Sequence, residues 1–213
     1  MSFSFYSVDP KYGEYLRQFE QKVSFLSGGK EKRPFIGIVF SINKVNYFAP
    51  LTSPKPKHMN MKNQIDFLKI DGGKYGAINF NNMIPVPGKC LIKISMIIDE
   101  KKDSKTDIEY KYLLRNQLTW CNSNKNTILK YASKLYTQIV QNKARPELSS
   151  RCCNFKIMEQ KCILYDREKQ QEIRIRDESE NKLSLMKNLR SYKKEIEKRS
   201  FENTDNLKRE VER

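Results

Sequence analysis

The sequence predicts an α+β fold, with strands and hairpins in the first half, helices after them, and a charged helical extension at the C-terminal end. Three observations carry this. Runs rich in β-branched and aromatic residues, broken by turn residues, fill positions 3–98. After Asp107 the apolar spacing changes to a period of 3.6. From residue 166 the chain is about half charged and holds neither Pro nor Gly.

Phe3–Val8 alternates aromatic and small residues and reads as a short strand. Asp9-Pro10 then supplies a helix cap and a proline pre-set at the first helical position. Tyr12, Tyr15, Leu16, Phe19 and Val23 follow at helical spacing, so a helix is expected over 10–24. Residues 24–32, with Gly28-Gly29, read as a basic loop. Pro34–Ile42 is a β-forming run, Asn43–Asn46 a turn, and Tyr47–Leu51 a returning strand. Thr52–Lys62 reads as a proline-broken basic loop. Phe67–Ile70 and Tyr75–Asn79 make another hairpin around Gly72-Gly73, and Leu91–Ile98 a further strand. Helices are expected over 107–121, 125–142 and 154–165, and a helical stripe of Leu185, Leu189, Tyr192 and Ile196 in the extension. The division that follows is a domain over 1–165 and an extension over 166–213.

Charge narrows the partner. The 213 residues carry 41 Lys and Arg against 25 Asp and Glu, a net charge of +16. Residues 166–213 contribute 14 basic and 12 acidic side chains, leaving 27 and 13 in 1–165. The positive field therefore belongs to the first part of the chain and would concentrate polyanions there. No run approaches the ~20 apolar residues that span a bilayer, and the N-terminus lacks the pattern of a signal peptide. Five cysteines (Cys90, Cys121, Cys152, Cys153, Cys162) show no disulfide or zinc spacing and read as reduced, mostly buried thiols of a cytoplasmic protein.

Few residues can do chemistry. His58 is the one histidine, which excludes a two-histidine ribonuclease and a multi-histidine metal centre within one chain. Phosphate-loop, nucleophile-elbow and H-E-x-x-H motifs are absent, so no cofactor and no metal is expected. What remains is Ala49-Pro50-Leu51-Thr52-Ser53-Pro54-Lys55-Pro56-Lys57-His58, where hydroxyls lie beside lysines and prolines stiffen the backbone. Hydroxyls can hydrogen-bond a phosphate and lysines can neutralise it. An RNA 2′-OH next to that phosphate then needs in-line geometry, a proton acceptor and charge stabilisation to attack. The products would be a 2′,3′-cyclic phosphate and a 5′-hydroxyl. On spacing alone an ordinary turn with solvated lysines is the commoner reading of such a segment.

Five blocks in order carry a resemblance. They are Phe5-Tyr6-Ser7-Val8-Asp9 with Tyr12-x-x-Tyr15-Leu16; Arg33-Pro34-Phe35-Ile36-Gly37-Ile38; Tyr47-x-Ala49-Pro50-Leu51-Thr52-Ser53-Pro54-Lys55; Gly76-Ala77-Ile78-Asn79; and Met83-Ile84-Pro85-Val86. Over roughly residues 3–90, and more weakly to Cys153-Asn154-Phe155, the chain resembles the ToxN/AbiQ family of type III toxin–antitoxin endoribonucleases. The resemblance implies a twisted antiparallel sheet wrapped by helices, related to small barrel-like toxin ribonucleases. It also implies a metal-independent RNA-cutting toxin with a role in growth arrest or phage abortive infection. Its partners would be a repetitive pseudoknot RNA antitoxin that it trims, cellular or phage RNA, and further copies of itself in a closed protein–RNA assembly, with no membrane and no DNA.

Position by position, Thr52 and Ser53 match the family's active-site hydroxyls and Lys55 its active-site lysine. Arg33 stands where the family places a basic residue facing the same phosphate. Some relatives carry a tyrosine four positions earlier, where this chain has Gly29. Tyr12 matches an aromatic near the groove, although its helical spacing fits core packing equally well. Lys57 and His58 are candidates to contact RNA, His58 as an exposed donor or proton carrier. Phe80 and Met83 are candidates to stack on a splayed base, or else to pack under the sheet. Lys30, Lys32, Lys62, Lys69 and Lys74 are candidates to line an RNA groove. The alternative in another class is a non-catalytic basic RNA-binding module. A membrane-surface protein is a weaker rival, because the excess charge and the apolar stripe lie in different parts of the chain.

Overall fold

A computed structural model describes residues 2–24, 33–42 and 45–211, with side chains as far as residue 192 apart from that of Ile38. The expected loop over 24–32 apart from Ser24, with Lys30 and Lys32, and part of the expected turn at 43–46 lie outside these residues. Among the described residues, seven strands form one antiparallel sheet: β1 (Ser4–Val8), β2 (Phe35–Ile42), β3 (Val45–Thr52), β4 (Phe67–Lys69), β5 (Ala77–Asn79), β6 (Ile84–Pro85) and β7 (Leu91–Lys93). Their order is β4-β5-β3-β2-β1-β7, with β6 also paired to β3. The sheet is open, ending at β4 and β7, so the barrel-like expectation becomes a sheet that does not close.

β3 is the centre of this sheet because it can bury both faces. Residues Val45 and Tyr47–Leu51 are all buried. Pro50 is tolerated there because β3 changes partners around it, pairing β6 at Tyr47 and Phe48 and β5 at Leu51 and Thr52. Towards β2 it is Leu51 whose N–H donates to the Pro34 carbonyl (2.9 Å), so the missing proline donor falls in that interval. Across β2, the Phe48 ring lies over Gly37, where a Cβ would come within 2.1 Å of a ring carbon. The pairing then slips by a bulge between Gly37 and Phe40.

Helices precede, interrupt and follow the strands along the chain. α1 (Pro10–Arg17) begins at Asp9, whose carboxylate accepts the Lys11 N–H. It stops short of the expected residue 24, and hydrogen-bonded turns continue to Val23. α2 (Pro56–Asn60) is a short helix inside the segment expected to be a loop. α3 (Lys105–Ser123) starts at a capping box of Ser104 and Asp107. α4 (Lys125–Val140) buries Ile128, Ala132, Leu135 and Tyr136, a stripe at helical spacing that packs against β2. α5 (Pro146–Arg151) is followed by α6 (Phe155–Val211). β7 ends at Lys93 rather than the expected residue 98.

The chain divides into two compact units, Met1–Leu164 and Tyr165–Arg213. The second is helical, and Leu185, Leu189 and Tyr192 of the expected stripe are exposed on it, while the Ile196 side chain lies outside the described set. All five cysteines are free and buried.

One half-buried carboxylate, Glu159 of α6, ties the sheet to α4. Tyr47 and Tyr136 both donate to Glu159 Oε1, at 2.8 and 2.7 Å, among the rings of Phe40 and Phe155. Burial, then the Glu159 charge, raises the Tyr47 hydroxyl far above its ordinary value, so it stays a proton donor. Glu159→Ala would leave Tyr47 only a 3.3 Å contact to the Phe155 carbonyl. The expected loss is about 2–3 kcal/mol of folding free energy. Urea unfolding checks this, and adding Tyr47→Phe in that background should recover part of the loss.

Candidate active site

The segment Thr52–His58 leaves the sheet at the end of β3 and turns into α2. Lys55 is extended (φ −139°, ψ 145°), as the steric demand of Pro56 requires, and Pro56 then opens α2 at its first position. Among the described residues, neither the Thr52 and Ser53 hydroxyls nor the Lys55 ammonium is hydrogen-bonded or ion-paired to another protein group. Ser53, Lys55 and Lys57 are exposed and Thr52 half-buried. A cluster of donors with no protein acceptor is suited to an anionic ligand.

The strand register carries Arg33 towards this segment. β2 and β3 pair Phe35 with Pro50, and the Leu51-to-Pro34 hydrogen bond extends that pairing, bringing Arg33 level with Thr52. Partial burial pulls the guanidinium below its ordinary value, and it remains a cation. No carboxylate pairs with it among the described residues.

Two glycines hold the segment from beneath. Gly76 has φ +92°, and a Cβ there would lie 2.0 Å from the Thr52 carbonyl oxygen. Gly73 has φ +106°, and its Cβ would lie 2.7 Å from the His58 carbonyl oxygen. Only glycine combines this backbone with so close an approach. Between them, the Tyr75 carbonyl accepts from Gln117 Nε2 of α3 at 2.7 Å. Gln117 is a site-supporting residue that sequence reading misses, since one buried amide on a helix face gives no pattern. Gly73 and Gly76 are signalled by their residue type, which does not show what they touch.

Several expected RNA contacts are corrected. His58 is buried (2% exposed), with its ring 5.7 Å from that of Phe67, because α2 turns it inward. Tyr12 is fully buried and donates to the Pro85 carbonyl at 2.7 Å, which is the core-packing alternative. Phe80 and Met83 are also fully buried, Phe80 with its ring 6.1 Å from Tyr131. Lys69 Nζ donates to the Met59 carbonyl and so braces α2. Lys57, Lys62 and Lys74 are exposed, Lys74 with its ammonium 5.2 Å from the Tyr75 ring centre.

Burial, with Lys55 and Lys57 nearby, holds His58 below its ordinary value, so folding favours its neutral form. The unfolded chain protonates it near pH ~6.5. Below that pH the unfolded state binds more protons, so this contribution to stability is present above it and lost as pH falls. Unfolding midpoints at about pH 5.5 and about pH 7.5 should differ less in His58→Gln than in the unsubstituted protein.

The chain matches the family described as Toxin ToxN, type III toxin–antitoxin system, over residues 4–162. The chain belongs to the ToxN family. It is 31% identical over 165 residues to the endoribonuclease ToxN of Bacillus thuringiensis subsp. kurstaki, covering 76% of this chain and 83% of that protein. It is likewise 31% identical over 165 residues to endoribonuclease ToxN of Pectobacterium atrosepticum, covering 74% and 90%. In structure it is similar to AbiQ, a lactococcal anti-phage endoribonuclease of a type III toxin–antitoxin system, with TM-score 0.65 and 28% identity over 78% of this chain and 99% of that one. A second similar structure concerns selective toxin inhibition by a non-coding RNA pseudoknot, with TM-score 0.64 and 28% identity over 78% and 99% of the two chains. This ToxN-family chain thus shares fold and sequence with RNA-cutting relatives over its first unit, and the match ends at residue 162.

Proposed function

We propose that this ToxN-family protein is a metal-independent endoribonuclease, the toxin of a type III system, with Thr52, Ser53, Lys55 and Arg33 forming its phosphate site. The observation that carries the reading is the set of donors at the end of β3, held against Gly76 and, among the described residues, hydrogen-bonded to no protein group and paired with no carboxylate. A scissile RNA phosphate placed there meets two hydroxyl donors and two cations. The 2′-hydroxyl gives up its proton to a base, with water available at this exposed site, as O2′ bonds to the adjacent phosphorus; the P–O5′ bond breaks, and O5′ takes up a proton as a 5′-hydroxyl, so no proton is consumed overall. Lys55 and Arg33 neutralise the charge that grows on the non-bridging oxygens, and Thr52 and Ser53 donate to it. The relatives named above support RNA as substrate and a pseudoknot RNA as inhibitor.

On this reading residues 1–165 are the endoribonuclease domain and 166–213 a charged extension. The antitoxin RNA is processed by the toxin and joins several copies into a closed assembly, and release of the toxin arrests growth or aborts phage infection. The protein acts in the cytoplasm, in keeping with five free cysteines and with the absence, among the described residues, of any helix long and apolar enough to cross a membrane. Purified protein is incubated with mixed-sequence RNA in the presence of a chelator. Fragmentation supports an endoribonuclease, and RNA that is bound but left intact indicates a binding module.

A further inference from the structure

A second cleft lies just beyond α2, where the chain from Met61 to Asp66 meets α4. It has a volume of about 260 Å³ and is lined by Asn63, Gln64, Ile65, Lys130, Tyr131 and Lys134. The two amides have fixed orientations. Asn63 Oδ1 accepts the backbone N–H of Lys69 at 2.9 Å, and Gln64 Oε1 accepts from the Arg151 guanidinium at 3.2 Å. Both partners can only donate, so each amide oxygen is committed and each amide nitrogen is left over. Lys130 and Lys134 stand one turn apart on α4 and are exposed. Neither ammonium nor the Tyr131 hydroxyl is engaged by another protein group among the described residues. Among the described residues no carboxylate lines the cleft.

The cleft therefore presents donors and positive charge, with a tyrosine ring and Ile65 as its apolar part. Such a set rejects ligands that offer donors and fits one rich in acceptors. The chain leads into it from Lys55 within eight residues, an upper limit of about 28 Å. Lys69 bridges the two places, its side chain on Met59 of α2 and its backbone on Asn63.

We infer that this cleft is a second RNA subsite, distinct from the phosphate site at Thr52–Lys55. It takes phosphate oxygens and base carbonyls of a single-stranded segment flanking the cut. Lys130 and Lys134 neutralise phosphate, and Asn63 Nδ2 and Gln64 Nε2 donate to the acceptors beside it. This rests on the ribonuclease reading above and assigns a further contact to the same RNA strand.

The test uses the full chain and a mixed-sequence 2′-fluoro RNA, which lacks the attacking hydroxyl and cannot be cut by 2′-OH attack. Asn63→Asp keeps the acceptor for the Lys69 N–H and turns the free donor into an anionic acceptor. It should weaken binding about tenfold or more. Lys130→Ala with Lys134→Ala should weaken binding and flatten the salt dependence of affinity by about 0.7 for each phosphate no longer neutralised. Asn116→Asp, the same charge change on an exposed face of α3, should bind as the unsubstituted protein does. Unchanged affinity and salt slope in the cleft variants, or an equal loss in Asn116→Asp, overturns the subsite. If the unsubstituted protein binds the 2′-fluoro RNA yet leaves ordinary RNA intact, the ribonuclease reading fails by itself. If it cuts RNA while the cleft variants bind normally, the subsite alone fails.

Discussion

Lys55→Ala is expected to lower the rate of RNA cleavage at saturating RNA by about 10²–10³-fold, the effect of removing one preorganised group from a developing negative charge. Lys55 is exposed, so its removal opens no cavity and should leave the unfolding midpoint close to that of the unsubstituted protein. Its backbone keeps its role, because the carbonyl still accepts the His58 N–H at 2.9 Å and Pro56 still holds the residue extended. Ser53→Ala should behave in the same direction, since its hydroxyl is exposed and engages no protein group among the described residues. Single-turnover cleavage assays beside thermal unfolding check both. A Lys55→Ala protein that cuts at the normal rate would move the phosphate site elsewhere.

Gly76→Ala carries the second large effect, and here stability and activity should fall together. The methyl group would sit 2.0 Å from the Thr52 carbonyl oxygen, which is backbone and has no rotamer to escape into. Either the Thr52–Ser53 strand end moves or Gly76 leaves its φ of +92°. Overpacking and backbone strain together are expected to cost about 2–4 kcal/mol. Gly72→Ala is the control. Its φ is +64° but nothing lies within 4 Å, so it bears the conformational cost without the clash, about 1 kcal/mol. Cleavage should drop sharply in Gly76→Ala and little in Gly72→Ala, because a shift of about 1 Å at a phosphate site can cost about 10²-fold. Urea unfolding with parallel cleavage assays separates the two glycines.

Local patterning makes much of the architecture legible. The β2–β3 hairpin follows from an apolar β-branched run on each side of a polar turn, and α3 and α4 follow from their spacing. The start of α1 is legible in Asp9-Pro10 because capping is a matter of adjacent residues. Prolines mislead where they have two meanings. Pro54 and Pro56 read as breakers, but Pro56 at a first helical position starts α2, and that turn carries His58 inward. Burial of Tyr12 and Phe80 does not follow from spacing, since a groove aromatic and a core aromatic share the same period. Contacts between distant residues leave no trace in the sequence. Glu159 meets Tyr47 across 112 positions, and Arg151 meets the buried Asp66 across 85. The Thr52–Lys55 segment is legible through its residue types and its resemblance, while the glycine support beneath it appears only in the folded backbone.

The mechanism stands on one step, the attack of an RNA 2′-hydroxyl on a phosphate held by Thr52, Ser53, Lys55 and Arg33. End-group analysis of the fragments, made with a chelator present, decides whether that step occurs. The expected result is 2′,3′-cyclic phosphate and 5′-hydroxyl ends, and no cut at any position carrying a 2′-deoxy substitution. Fragments bearing 5′-phosphate and 3′-hydroxyl ends, or cutting that continues at 2′-deoxy positions, would contradict it.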